Sequence, residues 1–444
     1  MVDAMAALRR HYGFDRFRPA QLPVVSGVLA GHDVLGVLPT GGGKSVCFQV
    51  PAALGDGVTV VISPLISLMQ DQVDAARARG FAAVGLHTAL TAEERARAAA
   101  ALRGGTARLL YVSPERAPRL AEWLAARGRR VQLLAVDEAH CIAEWGHDFR
   151  PSYRALAQVR ARLGDPPVVA LTGSATPAVR REIVSSLGLG RSRRLVEHLG
   201  SFDRPNLWFG AVHVRDDRER RAALLRELAE ARGTAIVYAP TRGLCEALTV
   251  LLRHAGRRAA PYHAGLPADV RRSTLEAFLR DDLDVVVATS AFGMGIDKPT
   301  VRLVVHWTMS PTPESYYQEA GRGGRDGGVA RCMLLYRPGD GGLARRMLEV
   351  TFPPERLVGR LWAGTAPATV PSGVRASAER LRAELEPERG RVDWRPVRRR
   401  RAAALERIRA MERYATARGC RRAVLIDWFG ERIRRCAGCD RCGR

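Results

Sequence analysis

Three consecutive glycines at 41–43, followed by Lys44 and Ser45, constrain this chain more than any other stretch of it. They come directly after a short apolar run, 34–38, and before a segment whose composition suits a helix. A strand that ends in such a loop and feeds a helix aims successive backbone N–H groups at one point, and the helix start adds its positive dipole end. That geometry binds phosphate. Lys44 is placed to reach the outer phosphates of a nucleoside triphosphate such as ATP, and the Ser45 hydroxyl to ligate Mg²⁺. Thr40, Gly41, Gly42, Gly43, Lys44 and Ser45 are therefore candidate nucleotide-binding residues. A plain glycine-rich turn is the alternative. The lysine is informative by its rarity, because Lys and Arg total 70 yet only Lys44 and Lys298 are lysine. A compact ammonium suits a point contact to phosphate.

A loop of this kind needs a parallel sheet around it, and the pattern for one occurs twice. Short β-branched runs at 34–38, 59–63, 109–112, 133–136 and 168–171 alternate with longer Ala-, Arg- and Leu-rich stretches, and a second series follows at 235–238, 285–288 and 301–306. Alternating strand and helix signals mark α/β folds with parallel strands. Between the series, Asp203, Arg204, Pro205 and Asn206 interrupt any helix, so 200–207 reads as the connection. No strand is expected beyond Arg337, where Pro353, Pro354, Pro367 and Pro371 mark a loop-rich crossing into helices. There Leu405, Ile408, Met411 and Ala415 recur at near-helical spacing and give one packed face. At 444 residues the chain exceeds the size at which one core keeps growing, so two or three domains are expected.

The run 133–136 ends in Asp137 and Glu138, and two acids at a strand end can divide the work of hydrolysing a nucleotide. Asp137 would hold Mg²⁺ through water, and Glu138 would orient and deprotonate the attacking water. A plain acidic turn is the alternative, and the phosphate loop upstream argues against it. His140 alone reads as a satisfied polar residue; beside this motif it reads as a link from the ATP site to the second lobe. In the second series Arg322 and Arg325 stand among glycines, with Gln318 just upstream. Two such arginines can project toward a γ-phosphate, where an arginine finger contributes about 10³–10⁵ in rate. Arg325 is the expected finger, with Arg322 and Gln318 in support, and a surface basic turn is the alternative.

The charge balance points to a class of partner. A formal charge of +24 favours polyanions and salt-dependent binding, although arginine excess can also follow genomic base composition. No apolar run approaches the roughly 18 residues that would span a bilayer. Residues 1–10 lack a basic-then-apolar signal pattern, so a cytoplasmic setting with reduced thiols is expected. Of the eight cysteines, Cys47, Cys141, Cys245 and Cys332 lie in apolar or mixed segments and read as small core residues. Cys420, Cys436, Cys439 and Cys442 instead crowd the end of the chain. Four thiolates that close together suit tetrahedral Zn²⁺ with no open position, and an iron–sulfur cluster is chemically possible. The gap between Cys420 and Cys436 is expected to hold a helical hairpin that includes residues 424–429.

With these residues in place, the sequence resembles the RecQ helicases, almost continuously from about Leu8 to Tyr336. Tyr12, Gly13, Phe14, Phe17, Arg18, Pro19, Ala20 and Gln21 are similar to the family's N-terminal motif, in which the glutamine reads adenine. An amide can bond both the N6 donor and the N7 acceptor of adenine, so Arg18 and Gln21 join the nucleotide-binding candidates. The segment from Cys141 to Arg150 looks like the family's aromatic-rich loop. There Trp145 and Phe149 offer stacking faces, each worth about 1–3 kcal/mol per base when engaged, and Arg150 offers charge. The resemblance implies that this loop couples DNA occupancy to hydrolysis. Ser63, Pro64 and Leu65 with residues 67–72 resemble a DNA-contact motif, and Asp297 falls in a coupling element of the second lobe. Residues 171–176 resemble the motif that links hydrolysis to movement, with Ser174, Ala175 and Thr176 where the family often has Thr-Ala-Thr. Leu38 stands where a phosphate loop usually has its first glycine, a departure common in superfamily-two helicases. Tyr414, Phe429, Gly430, Glu431 and the four terminal cysteines resemble the family's zinc subdomain, which favours structural zinc over iron.

The resemblance implies an α/β protein of two tandem RecA-like parallel-sheet lobes, 1–200 and 201–338, followed by a small helical zinc-binding subdomain, 339–444. It implies an ATP- and Mg²⁺-dependent helicase that moves 3′-to-5′ on single-stranded DNA and opens tailed duplexes in repair or recombination. A DNA-stimulated translocase or annealing factor with weak unwinding is the alternative, because larger members continue into a winged-helix domain beyond the position of Arg444. RNA stays open as a substrate, since motor motifs contact backbone rather than bases. Lys44, Asp137, Glu138 and Arg325 argue against a non-catalytic scaffold.

Overall fold

The protein is described by a computed structural model covering residues 1–444 apart from 40, 65, 88–89, 144–149, 294–297, 386–391 and 444. Its residues group into two compact units. The first comprises Met1–Arg204 with Gly293–Lys298 and Phe429–Arg432, and the second comprises Pro205–Phe292, Pro299–Trp428 and Ile433–Arg444.

In the first unit the strands are β1 (Asp33–Val37), β2 (Val58–Ile62), β3 (Ala83–Leu86), β4 (Leu109–Val112), β5 (Val131–Val136), β6 (Val168–Thr172) and β7 (Leu195–Leu199). They form one sheet in the order β3-β4-β2-β5-β6-β1-β7, and every neighbouring pair is parallel. β1, β2 and β6 are buried along their whole length, as strands flanked by crossover helices are, which is why they read as unbroken apolar runs. Leu8, Phe17, Val24, Phe48, Tyr111 and Leu171 belong to a core that joins the helices Val2–Tyr12 and Val46–Leu54 to this sheet. Parallel strands place their C-terminal ends along one edge, so the loops after β5, β6 and β1 lie side by side there.

The second unit holds β8 (Leu207–His213), β9 (Thr234–Tyr238), β10 (Ala259–Tyr262), β11 (Val285–Ala288), β12 (Val301–His306) and β13 (Ala330–Tyr336). Their order is β10-β11-β9-β12-β13-β8, again all parallel. After β13 the described residues form helices only: Gly341–Thr351, Glu355–Trp362, Ser372–Leu385, Arg395–Ala415 and Arg421–Asp427. Val358, Ala378, Leu381 and Val397 make a small core among them, edged by the stacked rings of Trp362 and Trp394, 5.5 Å apart.

Five strands lie where the sequence signals were weak. β7 is an edge strand carrying Glu197 and His198, and β10 is an edge strand containing Pro261, a residue that edge positions tolerate. β3, β8 and β13 are poor in β-branched residues. The stretch 353–371 is less loop-rich than expected, because Pro354 and Pro371 sit at the starts of helices and do not break them. Between Cys420 and Cys436 there is one short helix, Arg421–Asp427, and no hairpin; Gly430 follows it at φ +80. The four scattered cysteines are all buried. No helix among the described residues is long and apolar enough to cross a membrane.

Candidate nucleotide site and metal centre

The phosphate loop leaves β1 at Leu38 and enters the helix Val46–Leu54 with Ser45 at its N-cap. Gly41 and Gly43 hold φ of +80 and +71, which side-chain-bearing residues rarely adopt. At Gly43 a Cβ would also collide with the Gln21 amide nitrogen. The reason is a latch that the spacing of the sequence did not disclose. Gln21 is 4% exposed, and its amide nitrogen donates to the carbonyls of Gly42 (3.0 Å) and Gly43 (3.2 Å) while its oxygen accepts from Arg18 N. The Arg18 guanidinium donates to the Gly41 carbonyl. Arg18 and Gln21 thus brace the loop itself. On the following helix Gln49, also buried, accepts from the Tyr12 hydroxyl and donates to Tyr111 Oη at 2.7 Å, fixing that helix to the sheet.

At the end of β5, Asp137 and Glu138 come together with Lys44. Glu138 sits at φ +47, a turn that swings its side chain away from the strand direction, and its Oε1 is ion-paired with Lys44 Nζ. Asp137 is 3% exposed; its Oδ2 accepts from Gln72 Nε2 at 2.9 Å and its Oδ1 from the Glu138 N–H at 3.0 Å. Burial raises the Asp137 carboxyl above the usual range despite Lys44. Burial would raise Glu138 as well, but Lys44 and His140 override it and hold that carboxyl well below the usual range. Lys44 is correspondingly raised, its own burial outweighed by Glu138 and Asp137. His140 Nδ1 lies 3.3 Å from Glu138 Oε2 and 3.0 Å from Thr172 Oγ1 at the end of β6. Burial disfavours its charge, yet the Cys141 sulfur and the Glu138 carboxylate push it up to about 10. The result is an alternating row, Lys44 cation, Glu138 anion, His140 cation, that ends on Thr172.

The other candidates of the first unit fall around this row. Arg150 Nη1 donates to the Pro64 carbonyl at 2.8 Å, joining the end of the 141–150 segment to the strand-to-helix turn after β2. Thr176 caps the helix Pro177–Leu187, its hydroxyl accepting from Val179 N at 3.4 Å. Thr40, Trp145, Phe149 and Asp297 lie outside the described residues.

In the second unit the helix Pro313–Ala320 carries Gln318 and leads into the turns with Arg322 and Arg325, between β12 and β13. Arg322 is buried and Arg325 half-buried. The Asn206 amide donates to the carbonyls of Gly324 (2.7 Å) and Gly328 (2.8 Å), bracketing Arg325, and Gly324 is at φ +54. A side chain at Gly324 would collide with the Gly328 carbonyl and the Asn206 amide. Asn206 lies in the stretch read as a connection, and its spacing from Arg325 gives no hint of this role. Glu319 accepts from Ser310 Oγ at 3.2 Å and pairs with His306 Nε2 at 2.8 Å, fixing the helix to β12.

At the end of the chain, one ligand atom from each of Cys420, Cys436, Cys439 and Cys442 lies within 4.8 Å of the others. Four thiolates at about 2.3 Å from one tetrahedral ion stand about 3.8 Å apart. The Cys439–Cys420 separation of 4.0 Å fits that requirement. A cluster would interpose several irons and sulfides and spread its ligands further, so this donor set suits a single zinc ion. Burial works against a Cys439 thiolate, but the backbone N–H groups of Arg441, Arg421 and Arg422 draw its thiol down to about 6.

One parallel-sheet unit with a glycine–lysine phosphate loop beside two acids, and a second with arginines held between its strands, define the class of two-lobe superfamily-two helicase motors. Sequence comparison agrees: residues 18–183 match the DEAD/DEAH box helicase family, 219–327 the helicase conserved C-terminal domain and 382–443 the RecQ zinc-binding family. The chain is 38% identical over 354 residues to the probable ATP-dependent DNA helicase RecS of Bacillus subtilis, covering 79% of this chain and 70% of that protein. It is 36% identical over 441 residues to the ATP-dependent DNA helicase RecQ of Haemophilus influenzae, covering 99% of this chain. The chain belongs to the RecQ family of helicases. It spans 63% of the length of the Haemophilus relative. Solved structures share its fold at low identity. The DUF1998 helicase MrfA bound to DNA has a TM-score of 0.63 at 16% identity, over 78% of this chain and 52% of that one. The DEAD-box helicase Mss116 bound to ssRNA and UDP-BeF has a TM-score of 0.62 at 15% identity, over 92% and 90%.

Proposed function

We propose that this protein hydrolyses ATP to move 3′-to-5′ along single-stranded DNA and to separate duplex DNA, in repair or recombination. The observation that carries the reading is the pairing of Lys44 with Glu138 beside Asp137, at the ends of strands that lie one apart in the sheet. A triphosphate brings more negative charge than a carboxylate, so an entering ATP draws Lys44 away from Glu138. Losing that cation lets the Glu138 carboxylate become a stronger base, free to orient and deprotonate water at the γ-phosphate. Asp137 and Ser45 offer the hard oxygen donors that Mg²⁺ prefers, and the ion would neutralise phosphate charge when bound. Arg18 and Gln21 shape the loop and the adenine end of the site. We assign Arg325, with Arg322 and Gln318, as the arginine group that the second unit contributes to hydrolysis. His140, Trp145, Phe149, Arg150, Thr176 and Asp297 are the DNA-contact and coupling residues of this reading, with functional divisions at 1–200, 201–338 and 339–444. Zinc on the four cysteines is structural. The relatives called ATP-dependent DNA helicase support DNA as the substrate.

The test is strand displacement on 3′-tailed, 5′-tailed and RNA duplexes with ATP and Mg²⁺. Opening of 3′-tailed DNA alone is expected. DNA-stimulated hydrolysis without displacement would replace this reading with a translocase or annealing factor, and equal opening of RNA would remove the DNA assignment.

A further inference from the structure

The helix Pro313–Ala320 leads directly into Arg322 and Arg325, and it is fastened on one flank by residues that belong to no nucleotide motif. Tyr316 on that helix and Tyr414 near the end of the helix Arg395–Ala415 are both essentially unexposed, and their hydroxyls meet at 2.8 Å. Their rings lie 4.8 Å apart, and the His306 ring lies 4.6 Å from that of Tyr316. Two turns earlier on the long helix, Arg407 Nε faces Glu314 Oε1 at 3.6 Å, with both side chains buried. A core that needed only to be apolar would place Phe and Leu at these positions. The two buried hydroxyls satisfy each other, and the two buried charges face each other, in one relative placement of the helices, and so specify it.

The long helix is in turn held by the cysteine segment. Arg421, fully buried and next to Cys420, donates to the last carbonyls of the long helix, those of Tyr414 and Ala415, which an α-helix leaves unsatisfied. Its other nitrogens form a two-pronged pair with Asp440 at 2.8 and 2.9 Å. Asp440 follows Cys439 in the chain and is stitched to β8: its backbone N–H donates to the Phe209 carbonyl at 3.0 Å, and its carboxylate accepts from Ala211 N at 3.2 Å. Cys439 itself bridges Phe209 in the parallel sense. Arg422, also fully buried, donates to the Gly438 and Leu207 carbonyls. A continuous path of satisfied polar contacts therefore runs from the cysteine knuckle through Asp440, Arg421 and Tyr414 to Tyr316, all within the second unit.

We propose that the cysteine segment sets the placement of Arg322 and Arg325 through the Tyr414–Tyr316 and Arg407–Glu314 contacts, making Tyr414 and Arg407 positioning residues for ATP hydrolysis. The inference rests on the arginine assignment made above. Because a displacement of about 1 Å at a reacting centre can cost up to 10²-fold in rate, loosening this flank slows turnover without removing any group that binds nucleotide.

Tyr414→Phe removes one hydroxyl and leaves the ring. Its kcat for ATP hydrolysis with single-stranded DNA should fall about 5- to 20-fold, while KM for ATP, affinity for a non-hydrolysable ATP analogue and zinc content stay within about 2-fold of wild type. Tyr316→Phe should act alike, and the double variant should lose no more than either single one, since both delete the same contact. Arg325→Ala, measured alongside, separates the two readings. If Arg325→Ala turns over like wild type, the arginine assignment fails first. If Arg325→Ala loses turnover while Tyr414→Phe keeps full kcat, the positioning role is overturned and the arginine assignment stands. Should Tyr414→Phe be insoluble, the paired Arg407→Met, Glu314→Gln variant tests the second tie without leaving a buried charge alone. A full wild-type kcat in that soluble variant would sink the proposal, and the same kcat loss at constant KM would support it.

Discussion

Lys44 carries two demands at once, and the fold meets both by giving it an acid partner. Paired with Glu138 it is buried without being an uncompensated charge, and it stays protonated where a lone buried lysine would not. Lys44→Ala should therefore lose ATP hydrolysis by about 10²–10³-fold or more, the scale on which losing one oriented donor to a transition state acts. Turnover of the purified variant at the wild-type rate would remove the phosphate-loop assignment. His140 gives a pH dependence of definite sign. Its folded pKa is pushed up to about 10, above the roughly 6.5 of a free histidine. The stability it contributes is complete below about pH 6.5 and is lost as pH rises through about 10, because across that window the folded chain holds a proton that the unfolded chain has released. One proton corresponds to about 1.4 kcal/mol per pH unit. Calorimetric unfolding followed across that window should show a steeper fall in stability for wild type than for His140→Asn. Parallel curves would mean that His140 is neutral in the folded protein.

At the scale of elements, the sequence disclosed whatever is contiguous and hid whatever is assembled from distant segments. The phosphate loop and the acid pair are runs of a few residues whose chemistry is written in their spacing, and the four terminal cysteines, though parted by the helix Arg421–Asp427, are close enough in sequence to be seen as one set. Gln72, which holds Asp137, comes from the helix Ile66–Ala78, and Thr172, which receives His140, from the end of β6. Asn206, which brackets Arg325, comes from more than a hundred residues upstream. Only the sheet order brings such groups together, and periodicity does not encode that order. The missed strands have the same origin: β7 and β10 are edges, where one side is free of the burial that writes an apolar pattern. The C-terminal helices show the converse, a segment whose own apolar core is small, with Val358, Ala378, Leu381 and Val397 at its centre. Such a core is marginal alone, whereas structural zinc in small peptides adds roughly 10–16 kcal/mol of apparent free energy. Cys439→Ser should lower zinc content and solubility together while nucleotide binding by the first unit persists in the soluble fraction. Elemental analysis finding no zinc in well-folded wild type, or finding iron, would overturn the metal assignment.

At the scale of the whole molecule, a surplus of 24 positive charges and a nucleotide site proposed to respond to a polymer pose separate questions, one of affinity and one of coupling. Charge alone predicts binding that weakens steeply with salt, with log affinity for single strands falling about 0.7 per phosphate neutralised for each tenfold rise in salt concentration. It predicts nothing about hydrolysis. Coupling requires a segment that meets DNA and also reaches the acids, and the stretch 141–150 begins just past Asp137 and Glu138 and ends at Arg150, whose guanidinium is tied to Pro64. Trp145 is the largest stacking surface within that stretch, and its indole face binds bases without regard to sequence. Trp145→Ala should thus leave the salt slope of DNA binding almost unchanged, since it removes no cation. It should leave ATP affinity and DNA-free hydrolysis near wild type while abolishing most of the stimulation by single-stranded DNA. The two readouts separate the causes: a changed salt slope would make Trp145 part of the electrostatic footprint, and undiminished stimulation would reduce it to a packing residue and move the coupling role elsewhere.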